Sequence, residues 1–236
     1  MKSLDNIAIV VQARLNSQRL PRKMLKPFRG TTLFDLLLEK LNKSKYIDNN
    51  KVYLSVHEEE LKSAASKYRF NIYDRSYESA NEDNDIRVIY EWYKHLREEY
   101  VVLISACNPL LRTETIEDFI KKYSESSEPG MFAVFEKKTY YWNRNGEPIT
   151  DWKGGKIMNT KVVEPIYEAG HCLYASKVSF LENECWMSDE SPPRPKLYVM
   201  DEIEKELGLM ADYADKLEML EYFDAEVGPN KTILND

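Results

Sequence analysis

A mainly parallel central sheet with helices on both faces, an α/β architecture, is the fold class this sequence predicts. Three observations carry the prediction. Ile7-Ala8-Ile9-Val10-Val11 is apolar at every position, similar runs alternate with stretches of helical spacing along the chain, and no internal repeat or low-complexity linker interrupts the 236 residues. A run without polar alternation suits a strand buried on both faces, which is the state of a parallel strand covered by crossover helices. One core keeps growing up to roughly 250–300 residues, so a single domain over 1–236 is expected.

The elements follow in order. After the first strand comes a polar, basic loop, and then Thr31-Thr32-Leu33-Phe34-Asp35-Leu36-Leu37-Leu38-Glu39-Lys40-Leu41 combines capping residues with apolar positions at helical spacing. Lys51-Val52-Tyr53-Leu54-Ser55-Val56 reads as the second strand, 58–67 as a helix, and Phe70-Asn71-Ile72-Tyr73 as a short third strand. Ile86, Ile89, Tyr90, Tyr93 and Leu96 predict a helix over 85–98, followed by a buried strand, Tyr100-Val101-Val102-Leu103-Ile104. Thr113 is the expected cap of a further helix running to about Tyr123. Residues 131–136 read as a strand. The span 137–163 is irregular, with turn signals at Asn145-Gly146 and Gly154-Gly155, and is expected to leave the sheet as an excursion or dimerisation segment. Gly170-His171-Cys172-Leu173-Tyr174-Ala175 is a late strand, Leu197-Tyr198-Val199-Met200 another, and 213–222 a last helix.

Composition narrows the function classes. At 43% hydrophobic and 31% charged the chain lies in the globular range. Its net charge of −7 provides no general attraction to nucleic acid. The three cysteines, Cys107, Cys172 and Cys185, are widely spaced without a CxxC pair, so neither a disulfide framework nor a cysteine zinc site is expected. There is no signal-type apolar run at the amino terminus and no window of about 18 apolar residues. A cytoplasmic protein with no membrane partner is the expectation.

The chemistry concentrates in the loop after the first strand, Gln12-Ala13-Arg14-Leu15-Asn16-Ser17-Gln18-Arg19-Leu20-Pro21-Arg22-Lys23. Open α/β sheets bind ligands at the carboxyl ends of their strands, which is where this loop leaves the sheet. Arginine offers phosphate a planar fork of donors and lysine a compact charge, so Arg14, Arg19 and Lys23 suit a triphosphate, with Ser17 adding a hydroxyl. A solvated run of charge is the other reading of such a stretch. The loop has neither the Walker nor the GxGxxG pattern.

The residue order of this stretch, continuing through Met24-Leu25, resembles the nucleotide loop of sugar cytidylyltransferases, of the form xxARxxSxRxPxK followed by an apolar residue. That family makes CMP-activated sialic acids and other nonulosonates and CMP-3-deoxy-manno-octulosonate, and includes a group assigned to spore-coat polysaccharide synthesis. The resemblance implies the Rossmann-like nucleotide-diphospho-sugar transferase fold and places Ala13, Arg14, Ser17, Arg19 and Lys23 on the nucleotide. Two positions depart from the pattern: Arg22 stands where many members have Gly, and Met24 where sialate enzymes often have Asn. Asp83-Asn84-Asp85 resembles the segment near the nucleoside and implies a nucleotide contact at Asp85. Acids at a helix amino terminus also serve the helix dipole.

Leu103-Ile104-Ser105-Ala106-Cys107-Asn108-Pro109-Leu110-Leu111-Arg112-Thr113 resembles the family's strand end LLQPTSPLRT, with Ser105 at its glutamine and Cys107-Asn108 where octulosonate-type enzymes carry an acid. Segments around Asn159-Thr160-Lys161 and Gly170-His171-Cys172-Leu173-Tyr174 follow the family's order as well. The resemblance thus implies substrate contacts at Ser105, Asn108, Arg112, Lys161, His171 and Tyr174. In the stretch 208–221, Asp212 falls on the second acid of the family's magnesium-binding pair, with Met210 at the first. Asp212 is therefore the implied Mg²⁺ ligand, and Arg14, Lys23 and Asp212 the implied catalytic set. The implied activity is transfer of CMP from CTP to a small acidic sugar by a homodimeric enzyme. The alternatives are a spore-coat-type, glycosyltransferase-like protein using a nucleotide-sugar, and a catalytically impaired nucleotide-binding homologue.

Overall fold

The computed structural model describes residues 1–17, 20–151 and 158–201. The first strand, β1 (Ile7–Gln12), is buried along its whole apolar run. A two-residue hairpin, β2 (Pro27–Phe28) and β3 (Thr31–Thr32), turns at Gly30 and delivers the chain to α1 (Leu33–Lys43), which Thr32 caps by accepting from the Asp35 amide. Then come β4 (Val52–Val56), α2 (Glu59–Ala65), β5 (Asn71–Asp74), the short helices α3 (Tyr77–Asn81) and α4 (Ile86–Ile89), and β6 (Tyr100–Ile104). The last described elements are α5 (Thr113–Glu125), β7 (Met131–Lys137), β8 (Ile166–Lys177) and β9 (Lys196–Val199).

Seven strands form one sheet in the order β5-β4-β1-β6-β8-β7-β9. β1 lies between parallel neighbours, with Val10 opposite both Tyr53 and Leu103. β8 enters antiparallel between β6 and β7, and β9 is parallel to β7, so the sheet is mainly parallel as expected. Alternation along β1 assigns its faces. Ile7, Ile9 and Val11 pack into the larger core with Phe34, Leu37, Leu38 and Leu41 of α1, Leu61 of α2 and Phe119 of α5. Val10 belongs to the opposite core with Trp92, Val101, Leu103 and Leu181, covered by α4 and 3-10 turns.

Three details differ from the sequence reading. The helix expected over 85–98 is α4 followed by a separate 3-10 turn at Glu91–Lys94. The Ile89 carbonyl is taken by the Ser79 hydroxyl at 3.1 Å, and the Tyr93 amide bonds to Tyr90 instead of Ile89, so the α-helical ladder stops there. Helix α5 is preceded by Arg112, with Thr113 already inside it, and no side-chain cap forms. β8 is far longer than the six residues expected. The expected helix over 213–222 lies outside the described residues. Part of 137–163 is described: Trp142 bridges Pro148 across a turn, and Thr160–Val162 forms a 3-10 turn.

Glu98 is a point where burial and charge set stability. Its side chain is 4% exposed, and it accepts from Lys51 Nζ at 2.9 Å and from the Tyr53 hydroxyl at 3.3 Å. Burial alone would raise its carboxyl, but the Lys51 ammonium and the hydrogen bonds win and hold it below the ordinary carboxylate range. A depressed folded pKa contributes stability that is present above the unfolded value, about 4.3, and is lost as pH falls through the folded value. Glu98→Gln is expected to cost about 2 kcal/mol at neutral pH. In urea titrations from pH 6 to pH 3 the gap between the two proteins should narrow; a gap independent of pH would show that the charge is not what matters.

Candidate active site

The loop leaving β1 folds back on itself because one carbonyl organises it. Leu15 O accepts from the Ser17 and Arg22 amides, each at 2.9 Å, while the Leu15 amide donates to Glu58 Oε1 at 2.7 Å. Leu15 and Leu20 are buried and anchor the loop, leaving its polar side chains for the cavity. Arg22 has φ +60°, in the left-handed region. An L-residue there carries a cost of about 1 kcal/mol that glycine avoids. The Arg22 guanidinium pairs with the Glu60 carboxylate outside the cavity.

A cavity of about 600 Å³ opens at the carboxyl ends of β1 and β6. The structure brings Ala13, Arg14, Ser17, Lys23, Ser105, His171 and Tyr174 together on its walls. Arg14 crosses the mouth to donate to the Ala80 carbonyl at 3.0 Å and to pair with Asp83 at 2.7 Å. Asn16 bonds Asn81 at 2.8 Å, so the loop after β1 is tied both to α3 and, through Asp83, to the loop that follows it.

The far wall is built by an irregularity in β8. Phe132 pairs with Tyr174 but Val134 pairs with Ala169, so β8 bulges between them, and His171 within the bulge has φ +51°. A non-glycine residue in that conformation is uncommon, and such backbone outliers gather at functional sites. His171 Nδ1 lies 3.2 Å from the Tyr174 hydroxyl, and the Tyr174 ring stacks on Phe132 at 5.0 Å. Burial pushes the Tyr174 phenol up, so it remains a neutral hydrogen-bonding group. The Ser105 hydroxyl accepts from the Cys107 amide at 3.3 Å, and the Ser105 amide donates to Cys172 O at 2.9 Å, joining the end of β6 to the bulge.

Other expected residues lie elsewhere. Asp85 is not a wall of the cavity; it caps α4, accepting from the Arg87 amide at 2.9 Å, because the chain has already turned into the helix there. Asn108 is buried in the turn before α5, Arg112 pairs with Asp201 at 3.6 Å, and Lys161 sits exposed on its 3-10 turn; none of the three is a wall residue. Arg19 and Asp212 lie outside the described residues.

Arg75 is a wall residue that the sequence reading missed. It follows β5, donates to the Ser79 hydroxyl at 3.1 Å and is 2% exposed. Burial, with Arg14 adding to it, pushes its pKa down to about 10, so it is a cation at neutral pH with too little compensating charge. Glu82, Asp83 and Tyr90 complete that side. A lone basic residue at the carboxyl end of a parallel strand was the available signal for Arg75.

A family model described as Cytidylyltransferase matches residues 8–168. The chain belongs to the cytidylyltransferase family. Among curated relatives, the 3-deoxy-manno-octulosonate cytidylyltransferase of Francisella tularensis is 26% identical over 177 residues, covering 75% of this chain and 64% of that protein. The chain therefore matches just under two thirds of that relative's length. The pseudaminic acid cytidylyltransferase of Campylobacter jejuni is 24% identical over 190 residues, covering 74% of this chain and 80% of that enzyme. A solved CMP:2-keto-3-deoxy-manno-octonic acid synthetase complexed with CTP superposes with a TM-score of 0.65 at 14% identity, covering 94% of this chain and 100% of that one. The 4-diphosphocytidyl-2C-methyl-D-erythritol synthase of Anaerococcus prevotii gives a TM-score of 0.61, also at 14% identity, covering 92% and 97%. These two likenesses show that the chain has the Rossmann-like α/β fold of those two proteins.

Proposed function

We propose that this protein transfers CMP from CTP to the anomeric hydroxyl of a small acidic sugar of the nonulosonate or 3-deoxy-octulosonate class, releasing pyrophosphate. The observation that carries the reading is the cavity at the carboxyl edge, where Arg14, Ser17 and Lys23 of the loop face Ser105, His171 and Tyr174 across a space of about 600 Å³. That volume suits a nucleotide and a small acceptor side by side. The two curated relatives named above are both cytidylyltransferases for acidic sugars. They favour this reading over the spore-coat-type alternative.

In the proposed step the sugar hydroxyl attacks the α-phosphorus, the bond from that phosphorus to the bridging oxygen of pyrophosphate breaks, and the hydroxyl proton is released. Arg14 and Lys23 stabilise the charge that develops on the leaving pyrophosphate, while the cavity walls hold the reactants in register. Mg²⁺ is the proposed cofactor. Held by one or two protein carboxylates, it would neutralise phosphate charge and polarise the α-phosphorus. The carboxylates on the described walls are Glu82, which accepts from the Asp83, Asn84 and Asp85 amides, and Asp83, which pairs with Arg14 and would exchange that partner for the ion; no cluster of three metal-binding side chains occurs among the described residues. Asp212 is the further ligand proposed from the sequence.

The test incubates the protein with CTP, Mg²⁺ and a panel of 2-keto-3-deoxy sugar acids while pyrophosphate is measured. Release that depends on one sugar supports the proposal. CTP binding with no release across the panel would favour the nucleotide-binding homologue instead.

The finer proposals are a homodimer and a cytoplasmic setting. Trp142, Ile149, Met158, Val162, Ile166 and Tyr167, all between 137 and 167, are exposed apolar side chains, as are Leu197 and Val199 on the edge strand β9. Such a concentration supports a subunit contact there. Sedimentation equilibrium is expected to return the mass of two chains, and Trp142→Glu with Ile166→Glu that of one; a wild-type monomer removes the idea. Three free cysteines suit a reducing compartment, and no helix among the described residues is long and apolar enough to cross a membrane.

A further inference from the structure

Gln12 ends β1 on the face opposite Ile9 and Val11, next to Trp92. Trp92 is 1% exposed, and its indole N–H donates to Gln12 Oε1 at 2.7 Å. An indole nitrogen is only ever a donor, so the atom facing it must be the carboxamide oxygen. The opposite flip would set two donors against each other and leave a buried N–H unpaired. With its oxygen committed to Trp92, Gln12 offers its amino group as the remaining polar atom. No hydrogen bond to a described residue occupies that group, and Gln12 is a cavity wall.

The cavity around it divides by chemistry. Arg14, Ser17 and Lys23 come from the loop and suit phosphates, whereas Ile89, Tyr90, Leu103 and Tyr174 contribute apolar and aromatic surface beside the polar Arg75, Glu82, Asp83, Ser105 and His171. Tyr90, Leu103 and Tyr174 pack in the same core as Trp92, on the Gln12 side of the sheet. Apolar and aromatic surface suits a planar ring better than a hydroxylated sugar. We infer that Gln12 determines base specificity, its amino group donating to the acceptor edge of a cytosine ring at N3 and O2, with Trp92 as the residue that positions it. Uracil carries a hydrogen on N3, so the same donor opposes it. The inference deepens the proposed use of CTP and depends on it.

Gln12→Glu separates the possibilities, because a carboxylate still accepts from Trp92 but replaces the amino group with an acceptor. Dissociation constants for CTP and UTP are measured by calorimetry with Mg²⁺ and without sugar. The added negative charge weakens both triphosphates and cancels in their ratio. The wild type should prefer CTP, and Gln12→Glu should reduce the CTP-to-UTP affinity ratio by about tenfold or more. Gln12→Leu, which removes the amino group without adding charge, should lose preference to a similar degree, with thermal denaturation confirming that both variants fold. A folded variant pair with the wild-type ratio overturns the assignment of Gln12 and leaves CMP transfer standing. A wild type that binds no CTP overturns both.

Discussion

Lys23→Ala is expected to lower kcat/KM for CTP by about 100- to 1000-fold, or roughly 3–4 kcal/mol of transition-state stabilisation. Lys23 opens a 3-10 turn, Lys23–Leu25, whose buried residue is Met24. The backbone of that turn is held by the Lys23 amide on Leu20 O at 3.2 Å and the Leu25 amide on Arg22 O at 3.0 Å. These are backbone bonds, which the substitution leaves in place, and a thermal melt separates a loss of function from a loss of fold. Charge on the departing pyrophosphate grows as the phosphorus–oxygen bond breaks, and a compact cation at the loop is worth most at that moment. Lys23→Arg should recover part of the rate. Steady-state kinetics with a thermal melt would decide it, and near-normal turnover in Lys23→Ala would remove the loop from the mechanism.

The parts of this fold that were legible in the sequence are those decided by local burial. β6 has the bounds expected of Tyr100–Ile104, because a strand buried on both faces writes itself as an unbroken apolar run. β1 and α1 follow the same logic. The expected helix over 85–98 was not legible, because what ends α4 is a hydroxyl ten residues upstream of its partner in space: Ser79 on the Ile89 carbonyl. β8 was underestimated because its first four residues, 166–169, are exposed or half-buried and so form no apolar run.

The site divides in the same way. Arg14, Ser17 and Lys23 fall in one loop, so their order could be read directly. Arg75 and Gln12 join them only through tertiary structure. Arg75 is made a wall by its bond to Ser79, and Gln12 is oriented by an indole 80 positions away. Asp85 illustrates the converse. The resemblance implied a nucleotide contact for it, whereas the backbone uses its carboxylate as a helix cap.

Gly130→Ala should be among the most destabilising single substitutions in the described chain. Gly130 precedes β7, and its carbonyl accepts from the Lys196 amide at 3.1 Å, at the start of the pairing between β7 and β9. Met187 comes close on the other side, with φ +64°. A Cβ on Gly130 would sit against the Met187 carbonyl, 2.5 Å from its carbon and 2.7 Å from the Met187 Cα, closer than nonbonded carbon atoms approach. Because the obstruction is backbone, no rotamer change relieves it. The segment must move, and the Met187 amide gives up its 3.0 Å bond to the buried Ser176 hydroxyl in β8 as it does so. The expected cost is about 3 kcal/mol or more, seen as a fall in the urea midpoint. Gly146→Ala is the control, since open space surrounds that glycine and only its φ of +81° carries a cost. That variant should lose about 1 kcal/mol. Equal losses at the two positions would mean that the Met187 segment yields freely and is not part of the rigid frame behind β8.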